Sequence, residues 1–473
     1  MRKIGWGVGL FMVAMGIVGC GGGAQENQAS PAPTTPAPAP VVMQSLSVSP
    51  TSVTLVVGAK QTFSVTARYS DGSSRAMATG IGWTAGGTVA AVDATTGELT
   101  AKAAGNDTVT ATVGTLTGTA RVVVATPYQA VAGGGSHTVG IKSDGSLYGW
   151  GQNRSGQVGD GTLQDRLTPT GVGSQKTWTR VAAGEFHTVA LRADGTLWAW
   201  GLNQNGQLGM GNFASLSEPT AVGKDKDWTD VAVGSYHTLA VKKDGTLWAW
   251  GRNFNGQLGL GSTVDQSSPT QVGALTTWAA VAAGAEHSVA RRSDGSLYAW
   301  GNNFSGQLGS GLSTDSNVPV AVVGSNWTSL AAGGSHTLAV RADGALFAWG
   351  SNLQGQLGSG STGTGSNTPV RVGSDGDWLL AGAGNGHSAA IRINGSLWAW
   401  GANGDGQLGD GSLTPKALPT QVGSARHWVK LAAGPFTTFA IGTDGLLWGW
   451  GRNAEGQMGN GNQAQVLSPA PIP

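Results

Sequence analysis

One segment recurs seven times in the second part of this chain. Its second copy reads DGTLWAWGLNQNGQLGMGN from Asp194 to Asn212, and the others begin at Asp144, Asp244, Asp294, Asp343, Asn394 and Asp444. The tryptophan of the Trp-Gly pair falls at 150, 200, 250, 300, 349, 400 and 450, so the period is 50 residues within one. A glycine-rich loop that cradles a phosphate is needed once, whereas evenly spaced copies indicate a repeat architecture. The segment therefore predicts a fold and not a nucleotide site.

Each copy contains four short apolar runs separated by turn residues. In the second copy these are TRVAAG, TVALR, LWAWG and PTAV, with Asp194 and Gly195 between the second and the third. Asp-Gly between alternating apolar runs is a strong hairpin signal, because the turn needs positive φ angles. Seven four-stranded units over residues 127–473 predict a seven-bladed β-propeller, in which radial repetition leaves only short sheet edges. The sequence does not identify the strand that closes the ring.

The first 20 residues have the layout of a secretory signal. Arg2 and Lys3 precede an uncharged stretch that is shorter than the roughly 20 residues needed to span a membrane, and Cys20 follows it. Val18 and Gly19 before this cysteine resemble the lipobox of bacterial lipoproteins, which implies cleavage there and lipidation of Cys20. We expect a lipid anchor at the bacterial cell envelope, in the outer membrane, with a secreted protein as the alternative. Cys20 is the only cysteine, so the mature chain has no internal disulfide.

Two segments separate this signal from the repeats. Residues 21–43 alternate proline with alanine, which predicts an extended polyproline II spacer. Residues 44–126 carry threonine- and valine-rich runs of period two, which predict a β-sandwich of six or seven strands. VSPTSVTLVVGAKQTFSVTARYSDGSS, Trp83 and VAAVDATTGELTAKAAGNDTVTATVG resemble the bacterial Ig-like group 2 domain, whose members mostly act as spacers or adhesive modules. The acids expected to be turn residues rather than ligands are Asp71, Asp93 and Asp107.

Three motifs recur over residues 129–473 with few departures. They are G-x-x-H-[TS], D-G-x-[LV]-[WYF]-x-W-G and N-x-x-G-Q-L-G, as in VAAGEFHTVALRADGTLWAWGLNQNGQLGMG. This pattern resembles the repeat of the regulator of chromosome condensation family, a seven-bladed propeller. The expected fold class is therefore all-β, an Ig-like β-sandwich followed by a seven-bladed β-propeller. The 80 glycines and 19 tryptophans suit short strands joined by tight turns.

The founding eukaryotic member of that family implies guanyl-nucleotide exchange together with chromatin binding. Its exchange activity uses a wedge that protrudes from one blade, whereas no repeat here departs from its neighbours by more than a residue or so. The net charge is +1, and nucleic-acid binders show a basic footprint. With an export signal as well, exchange activity is the least favoured of the functions considered, and no nucleic-acid partner is expected.

The plant ultraviolet-B photoreceptor shares this repeat and senses light with tryptophans in G-W-R-H-T motifs. The corresponding positions here read GEFHT, GSYHT, GAEHS and GNGHS, without tryptophan. We therefore expect the tryptophans of LWAWG, and those between the blades, to be core residues and not chromophores.

One histidine per blade invites a metal hypothesis. The set is His137, His187, His237, His287, His336 and His387, with Thr437 in the seventh copy. Side chains spread around a ring cannot converge on one ion, whose ligands lie at about 2.0–2.1 Å. We expect each histidine to hydrogen-bond loop backbone, and the glutamine of each GQLG to be structural. No nucleophile elbow, H-E-x-x-H motif or distinct carboxylate pair is present, so no metal, cofactor or catalytic residue is predicted.

Strand direction predicts where the residues that differ between copies gather. The G-x-x-H loop precedes the second strand and the N-x-x-G loop follows the third, so both lie at one end of an antiparallel hairpin. Exposed aromatic residues at such a rim are what a protein-binding hot spot needs. The alternative is that these rings pack against neighbouring loops and serve stability. The candidate partner-binding residues are Arg154, Phe186, Tyr236, Phe254, Glu286, Phe304, Asp405, Phe436 and Glu455.

These patterns predict a lipid-anchored, non-enzymatic propeller of the cell envelope that binds an unknown protein partner as a scaffold, adhesin or inhibitor. Secreted bacterial propellers with this repeat inhibit β-lactamases through one loop-lined face, although their blades are shorter. The alternative function is an envelope hydrolase with its site at the propeller mouth, since fold does not decide function. The sequence leaves open the partner, the membrane leaflet and the oligomeric state.

Overall fold

All the regular structure of the described residues is β-strand. The computed structural model describes residues 39–423 and 427–473. The predicted signal peptide with Cys20, and most of the predicted spacer, lie outside the described residues. Within the two described ranges 38 strands form an N-terminal β-sandwich followed by repeated four-stranded sheets, so the all-β expectation is confirmed.

Ten short strands form the sandwich, where six or seven were expected. They are β1 (Met43–Ser49), β2 (Ser52–Val56), β3 (Lys60–Thr62), β4 (Ser64–Tyr69), β5 (Ser74–Met77), β6 (Gly82–Thr84), β7 (Ala90–Val92), β8 (Glu98–Ala101), β9 (Gly105–Val113) and β10 (Leu116–Ala125). The sheet orders are β1-β4-β5, β2-β10-β9-β6 and β3-β8-β7. Single residues such as Phe63, between β3 and β4, interrupt runs that alternation reads as one strand. Phe63 packs on Trp83 in the core, with ring centroids 6.3 Å apart.

The three acids of the sandwich hydrogen-bond the backbone. Asp71 and Asp93 each accept from an amide two residues further on, at 2.9 and 3.0 Å, so they are turn residues as predicted. Asp107 instead lies in β9, and its carboxylate accepts from the amides of Gly86 and Ala90 at 2.9 and 3.1 Å. The turn assignment is wrong for Asp107, which holds a neighbouring loop from a strand.

Seven four-stranded antiparallel sheets follow, each built from consecutive strands. Blades one to four comprise β11 (Tyr128–Gly133), β12 (His137–Lys142), β13 (Leu147–Gly151), β14 (Arg166–Gly171); β15 (Trp178–Ala183), β16 (His187–Arg192), β17 (Leu197–Gly201), β18 (Leu216–Ala221); β19 (Trp228–Val233), β20 (His237–Lys242), β21 (Leu247–Gly251), β22 (Gln266–Gln271); β23 (Trp278–Ala283), β24 (His287–Arg292), β25 (Leu297–Gly301) and β26 (Ser316–Ala321). Blades five to seven comprise β27 (Trp327–Ala332), β28 (His336–Arg341), β29 (Leu346–Asn352), β30 (Gly363–Arg371); β31 (Trp378–Ala383), β32 (His387–Arg392), β33 (Leu397–Gly401), β34 (Lys416–Gln421); β35 (Trp428–Ala433), β36 (Thr437–Gly442), β37 (Leu447–Gly451) and β38 (Val466–Pro471). The seven-bladed propeller is thereby confirmed.

The first strand of each blade lines a central channel and the fourth lies outermost. Small residues of the first strands, such as Ala183 and Ala283, line a cavity of about 200 Å³ on the axis. The glycine of each Trp-Gly pair lies at an irregularity in the pairing of the third strand with the fourth, and in every blade except the fifth it also ends the third strand. In blade two this residue is Gly201, whose φ of 100° is a conformation that a residue with a side chain rarely adopts. The repeated Trp-Gly is thus a requirement of the blade.

One glutamine carbonyl per blade joins that blade to the next. The main-chain oxygen of Gln207 in blade two accepts a hydrogen bond from the Trp250 indole at 3.0 Å and from the Thr238 hydroxyl at 2.9 Å, both in blade three. The same pair of bonds occurs at all seven junctions. The prediction that the glutamines are structural is confirmed, although the contact that joins the blades uses their backbone oxygen.

The histidines bind hydroxyl groups rather than the loop backbone that the sequence suggested. His137 Nε2 lies 2.9 Å from the Thr188 hydroxyl of the next blade, and this hydroxyl donates its own proton to the Gln157 carbonyl. The imidazole must therefore be the Nε2–H donor, with the lone pair on Nδ1. The same contact recurs for the other five histidines. The expectation was wrong because the partner is the threonine or serine of the same motif in the next copy, about 50 residues away in the sequence.

The ring closes between blade seven and blade one without strand exchange. Each blade is built from four strands that are consecutive in sequence, so no strand of blade seven completes the sheet of blade one, or the reverse. The Tyr128 hydroxyl instead donates to the Pro473 carbonyl at 2.9 Å, and the Tyr128 amide to the Gly445 carbonyl at 2.9 Å. The Trp150 indole donates to the Gln457 carbonyl at 2.9 Å, as at every other junction.

Two links that join the other blades are missing at this closing junction. Elsewhere around the channel mouth an amide donates to the next blade, as Glu185 does to the Ser235 carbonyl at 3.2 Å, but the corresponding Pro435 has no N–H. Thr437 replaces the histidine, and its hydroxyl has no hydrogen-bond partner among the described residues. The closing junction therefore lacks two links that are present at the six other junctions.

We predict that the histidine of a blade matters more than the threonine of blade seven. His237→Thr should lower the free energy of unfolding by about 2–3 kcal/mol, since it leaves a cavity and removes the donor to Ser288. Thr437→Val, the matched control, removes an unpaired hydroxyl and should change stability by less than about 0.5 kcal/mol. Guanidinium unfolding followed by tryptophan fluorescence measures both. Equal losses would show that the histidine link does not hold the blades.

We also predict acid sensitivity of the propeller. Burial lowers the pKa of His137, His187, His237, His287 and His387 to about 3, and that of His336 to about 4. Below about pH 6.5 these histidines are protonated in the unfolded chain, whereas in the folded chain they stay neutral down to about pH 4 to 3. The free energy of unfolding therefore falls as the pH falls through this window. Each histidine should contribute about 1.4 kcal/mol per pH unit. Unfolding at pH 7.5, 6 and 5 tests this, and a flat profile would contradict it.

Candidate binding face at the loop end of the propeller

A buried asparagine in each blade shapes the long connection between the third and fourth strands. Asn203 Nδ2 donates to the carbonyls of Asn212 and Ala214, both at 3.0 Å, while its Oδ1 accepts from the Leu208 amide at 2.9 Å. Gln207 Oε1 accepts from the amide two residues before it, at 2.9 Å. The asparagine and glutamine side chains of the motif hydrogen-bond the backbone of their own loop, and the residues between them face outward.

Two of the predicted rim aromatics pack against each other. Phe186 and Tyr236, from the first loops of blades two and three, are half-buried with ring centroids 6.4 Å apart and planes at 42°. The Arg252 guanidinium lies over the Tyr236 ring at 5.8 Å, and its Nη1 is 3.4 Å from Glu286 Oε1. Burial raises the pKa of Tyr236. For these two rings the alternative expectation, packing against neighbouring loops, describes the structure.

The other two predicted aromatics of blades three and four point into solvent. Phe254 is 73% exposed and Phe304 is 89% exposed, each directly after the loop asparagine of its blade. Leu353 takes the same position in blade five and is 71% exposed. We call Phe254, Phe304 and Leu353 the apolar arc. Three large apolar side chains at equivalent positions of consecutive blades are left uncovered by the fold.

A cleft adjoins two members of the apolar arc. Phe304 and Leu353 line a space of about 500 Å³ together with residues of β30 such as Ser366. Blade five has a longer hairpin than the others, since β29 extends to Asn352 and pairs there with Gly363. This extension forms one wall of the cleft beside the apolar arc.

Most charged rim residues are engaged with one another. Arg154 Nη2 lies 3.7 Å from Asp165 Oδ2 and 3.8 Å from Glu455 Oε2, which belongs to the neighbouring blade seven. Phe436 lies beneath the Arg452 guanidinium at 5.5 Å and lines the axial cavity. Asp405 is half-buried, with its amide bonded to Gln407 Oε1. The structure therefore does not bring Asp405 or Phe436 to the apolar arc.

The mouth of the axial channel holds one titratable side chain among the described residues that line it. This residue is Glu185, and the polar side chains of Ser235 and Asn385 line the same cavity. Burial raises the pKa of Glu185, and the Arg452 cation opposes that shift. A single carboxyl without a second acid or a base partner is a poor arrangement for general acid–base hydrolysis, which uses positioned pairs.

Cations stacked between aromatic rings line the end of the blades that carries the Asp-Gly turns. The Arg192 guanidinium lies 3.7 Å from the Trp198 ring centroid and 4.4 Å from that of Trp178. Lys142, Lys242, Arg292 and Arg392 lie between two rings in the same way. Trp178 and the tryptophans of each Trp-Gly pair are buried, which confirms them as core residues. The stacked cations were not anticipated.

Sequence reasoning missed Leu353, Gln204 and Arg252 as residues of the loop end. Leu353 and Gln204 directly follow a loop asparagine, the position that already singled out Phe254 and Phe304. Aligning that position across all seven copies would have found them. Arg252 follows a Trp-Gly pair, a position that the motifs leave variable.

No group of three or more histidine, cysteine, aspartate or glutamate residues is placed to hold a metal ion in ranges 39–423 and 427–473. Each of the six histidines faces a hydroxyl of the following blade, so they do not converge. The same part of the chain contains no helix with the length and apolar character that crossing a membrane requires.

Family models match both parts of the chain. The model described as the regulator of chromosome condensation (RCC1) repeat matches residues 144–191, 194–241, 244–291, 294–340, 343–391, 394–441 and 444–473, which is more than half of the chain. The chain belongs to the RCC1 repeat family. A second model of the same description matches six stretches between residues 128 and 457, and the bacterial Ig-like domain (group 2) matches residues 42–124. Proteins of the RCC1 repeat family are generally binding and regulatory rather than enzymatic.

Curated relatives match over short stretches only. The ultraviolet-B receptor UVR8 of Arabidopsis thaliana is 50% identical over 42 residues, 9% of this chain and 10% of that protein. Ice-binding protein 1 of Shewanella frigidimarina is 40% identical over 72 residues, 15% of this chain and 8% of that protein. The matches thus span a tenth or less of the length of these relatives.

Solved RCC1-type propellers share the fold. Human WBSCR16 superposes with a TM-score of 0.63 at 24% identity, over 69% of this chain and 94% of that one. Yeast RCC1 (Prp20) bound to Kap60 gives a TM-score of 0.63 at 22% identity, over 69% and 83%. Prp20p of Saccharomyces cerevisiae gives 0.62 at 22% identity, over 73% and 87%. At these identities the likeness shows the propeller fold alone.

Proposed function

We propose that the loop end of the propeller is a non-enzymatic protein-binding face that serves as a scaffold, adhesive or inhibitory surface. The apolar arc of Phe254, Phe304 and Leu353 carries the proposal, because exposed aromatic and aliphatic anchors beside a cleft are the material of a binding hot spot. Exposed side chains of this size on consecutive blades contribute little to the stability of the propeller itself.

The loops beneath the apolar arc support this proposal because they are held in place before any partner arrives. The loop asparagine of blade four, Asn303, donates to the Leu312 and Thr314 carbonyls at 2.9 and 3.0 Å and accepts from the Leu308 amide. A surface that is ordered in advance loses less conformational entropy when it binds. Phe304 is thus presented by a fixed loop.

Similar propellers support the mode of action and not the partner. Yeast RCC1 (Prp20) is described as bound to Kap60, and Prp20p as binding Gsp1p and histones. A chain of net charge +1 gives no reason to extend histone or nucleic-acid association to this protein. The partner proposed here is a protein of the envelope or the extracellular space.

The described residues at the channel mouth offer little for acid–base catalysis. Glu185 at the channel mouth has no carboxylate, histidine or lysine beside it among the described residues that line the cavity. The six repeated histidines are buried with a pKa of about 3 to 4, too low for a base that works near neutral pH. These features favour a binding face over the alternative of an envelope hydrolase.

We further propose that Cys20 anchors the protein to the cell envelope through a lipid, with residues 21–43 and the Ig-like domain holding the propeller away from the membrane. The basic residues, the short apolar stretch and the small residues before the cysteine support this. Wild-type protein made in a bacterial host should partition into the detergent phase of Triton X-114, and Cys20→Ala should move it to the aqueous phase. Aqueous partition of the wild type would refute the anchor and favour secretion.

The binding face is tested with three matched baits. Purified residues 21–473 are compared with a triple variant, Phe254→Ala, Phe304→Ala and Leu353→Ala, for capture of envelope and secreted proteins. The control variant is Ile393→Ala, which removes a 69% exposed apolar side chain from an Asp-Gly-type turn at the opposite end. A captured protein, once purified, should bind the triple variant at least about tenfold more weakly than the wild type and the control, a typical hot-spot effect.

All three proteins should unfold within about 0.5 kcal/mol of each other, because exposed substitutions rarely change stability more. Equal binding to all three would place the interaction outside the apolar arc. No captured protein, together with turnover of peptide or glycan libraries, would favour the hydrolase.

A further inference from the structure

We infer that a second site on the loop end, a cleft across blades one to three, binds a neutral oligosaccharide. The cleft has a volume of about 650 Å³ and is lined by Gln152, Phe186, Gln204 and Tyr236, with Arg154 and Arg252 at its sides. It is separate from the apolar arc, since none of Phe254, Phe304 and Leu353 lines it. The proposal goes beyond protein binding and does not depend on it.

An aromatic floor supplies the apolar contact that a sugar ring needs. Phe186 and Tyr236 are half-buried, and their ring centroids lie 6.4 Å apart with the planes at 42°, so the two rings form one contiguous apolar surface. A pyranose presents a face of C–H groups, which packs against the face of an aromatic ring. The Arg252 guanidinium on the Tyr236 ring fixes the position of that ring further.

Uncharged polar groups that form few or no hydrogen bonds within the protein surround this floor. Among the described residues, the Gln204 amide and the hydroxyls of Tyr236 and Ser155 form no hydrogen bond, and the Gln152 amide uses only its oxygen, which accepts from Gln157 Nε2 at 3.3 Å. These groups include both donors and acceptors. Such a set is suited to hydroxyl groups, which donate and accept at the same time.

The two arginines of the cleft each lie close to an acidic side chain of the protein, which argues against an anionic ligand. Arg154 lies within 4 Å of Asp165 and Glu455, and Arg252 is 3.4 Å from Glu286. A carboxylate or phosphate on the ligand would have to displace these acids or lie beside them. A neutral sugar meets no such repulsion, and the arginine N–H groups can still donate to its hydroxyls.

The cleft is less suited to an extended peptide. Extended peptides commonly bind by adding a strand to a free sheet edge, where main-chain hydrogen bonds provide affinity. This cleft lies at the strand ends and is lined by loop residues, whereas the free edges of the blades are their outermost strands. Its volume falls in the usual range of about 300–1,000 Å³ for small-ligand sites. A segment of a few sugar units therefore fits the lining and the size.

The test uses purified residues 21–473 on an array of neutral and acidic oligosaccharides. Titration calorimetry then follows with the best neutral hit and, as fixed probes, with cellotetraose, maltotetraose and chitotetraose. Binding to at least one neutral oligosaccharide is expected. Tyr236→Ala should weaken it at least about tenfold, as removal of a stacking anchor does.

Two further variants separate recognition from folding. Gln204→Ala alters an exposed amide that forms no hydrogen bond within the protein, so a weaker affinity at unchanged thermal stability would support direct contact with the sugar. Phe304→Ala lies outside the cleft and should bind the sugar like the wild type, while losing the protein partner if the apolar arc acts as proposed.

Three results would overturn the inference. They are no binding to any neutral oligosaccharide on the array, binding to acidic glycans alone, and neutral-sugar binding that Tyr236→Ala and Gln204→Ala leave unchanged. Since Phe304→Ala tests the protein-binding face and Gln204→Ala tests the cleft, failure of one proposal is distinguishable from failure of the other.

Discussion

The main-chain oxygen of one glutamine per blade is the constraint on which the rest of the propeller depends. It accepts from an indole and from a hydroxyl of the next blade at every junction, for example Gln157 from Trp200 and Thr188. Two donors that converge on one buried oxygen fix both the distance and the rotation between blades. The repeated tryptophan, threonine or serine, and histidine are then explained by architecture, because each donates within this contact. These repeated side chains are therefore engaged in contacts between blades and are not available for catalysis.

The closing junction shows which of these contacts the ring can do without. Blade seven keeps the Gln457 carbonyl contact, but it lacks the histidine link and the amide link at the channel mouth. Contacts of the chain ends, such as the Tyr128 hydroxyl to the Pro473 carbonyl, occur at this junction alone. The ring is therefore closed by seven carbonyl contacts, while the histidine links are an addition at six junctions.

The sequence predicted the blades well because seven copies amplify a weak local signal. Asp-Gly turns, the Trp-Gly pair and the loop order together predicted strands and the loop end. The sequence did not predict which atoms bind each other. The hydroxyl that binds His137 belongs to Thr188, 51 residues away in the motif of the next copy, and the repeat does not show that these two copies are in contact there. Exposure was also beyond the sequence: Phe186 and Phe254 are both single aromatics in a loop, yet one stacks on Tyr236 and the other points into solvent. Side-chain direction in a loop depends on the neighbouring blade, which a repeat alignment does not show.

The repeated motif residues hold the propeller together and the variable loop residues face outward. This separation explains how such a fold can acquire a binding role without catalytic residues. The side-chain amide of each loop asparagine forms its hydrogen bonds within its own loop, as in Asn253. The motif therefore does not require a particular side chain at the next residue. That residue is Arg154, Gln204, Phe254, Phe304 or Leu353 in the first five blades. The polar members of this series belong to the cleft of blades one to three, and the apolar members form the arc of blades three to five. Two surfaces of different character thus arise from one position of the repeat, whose side chain is not used by the motif itself.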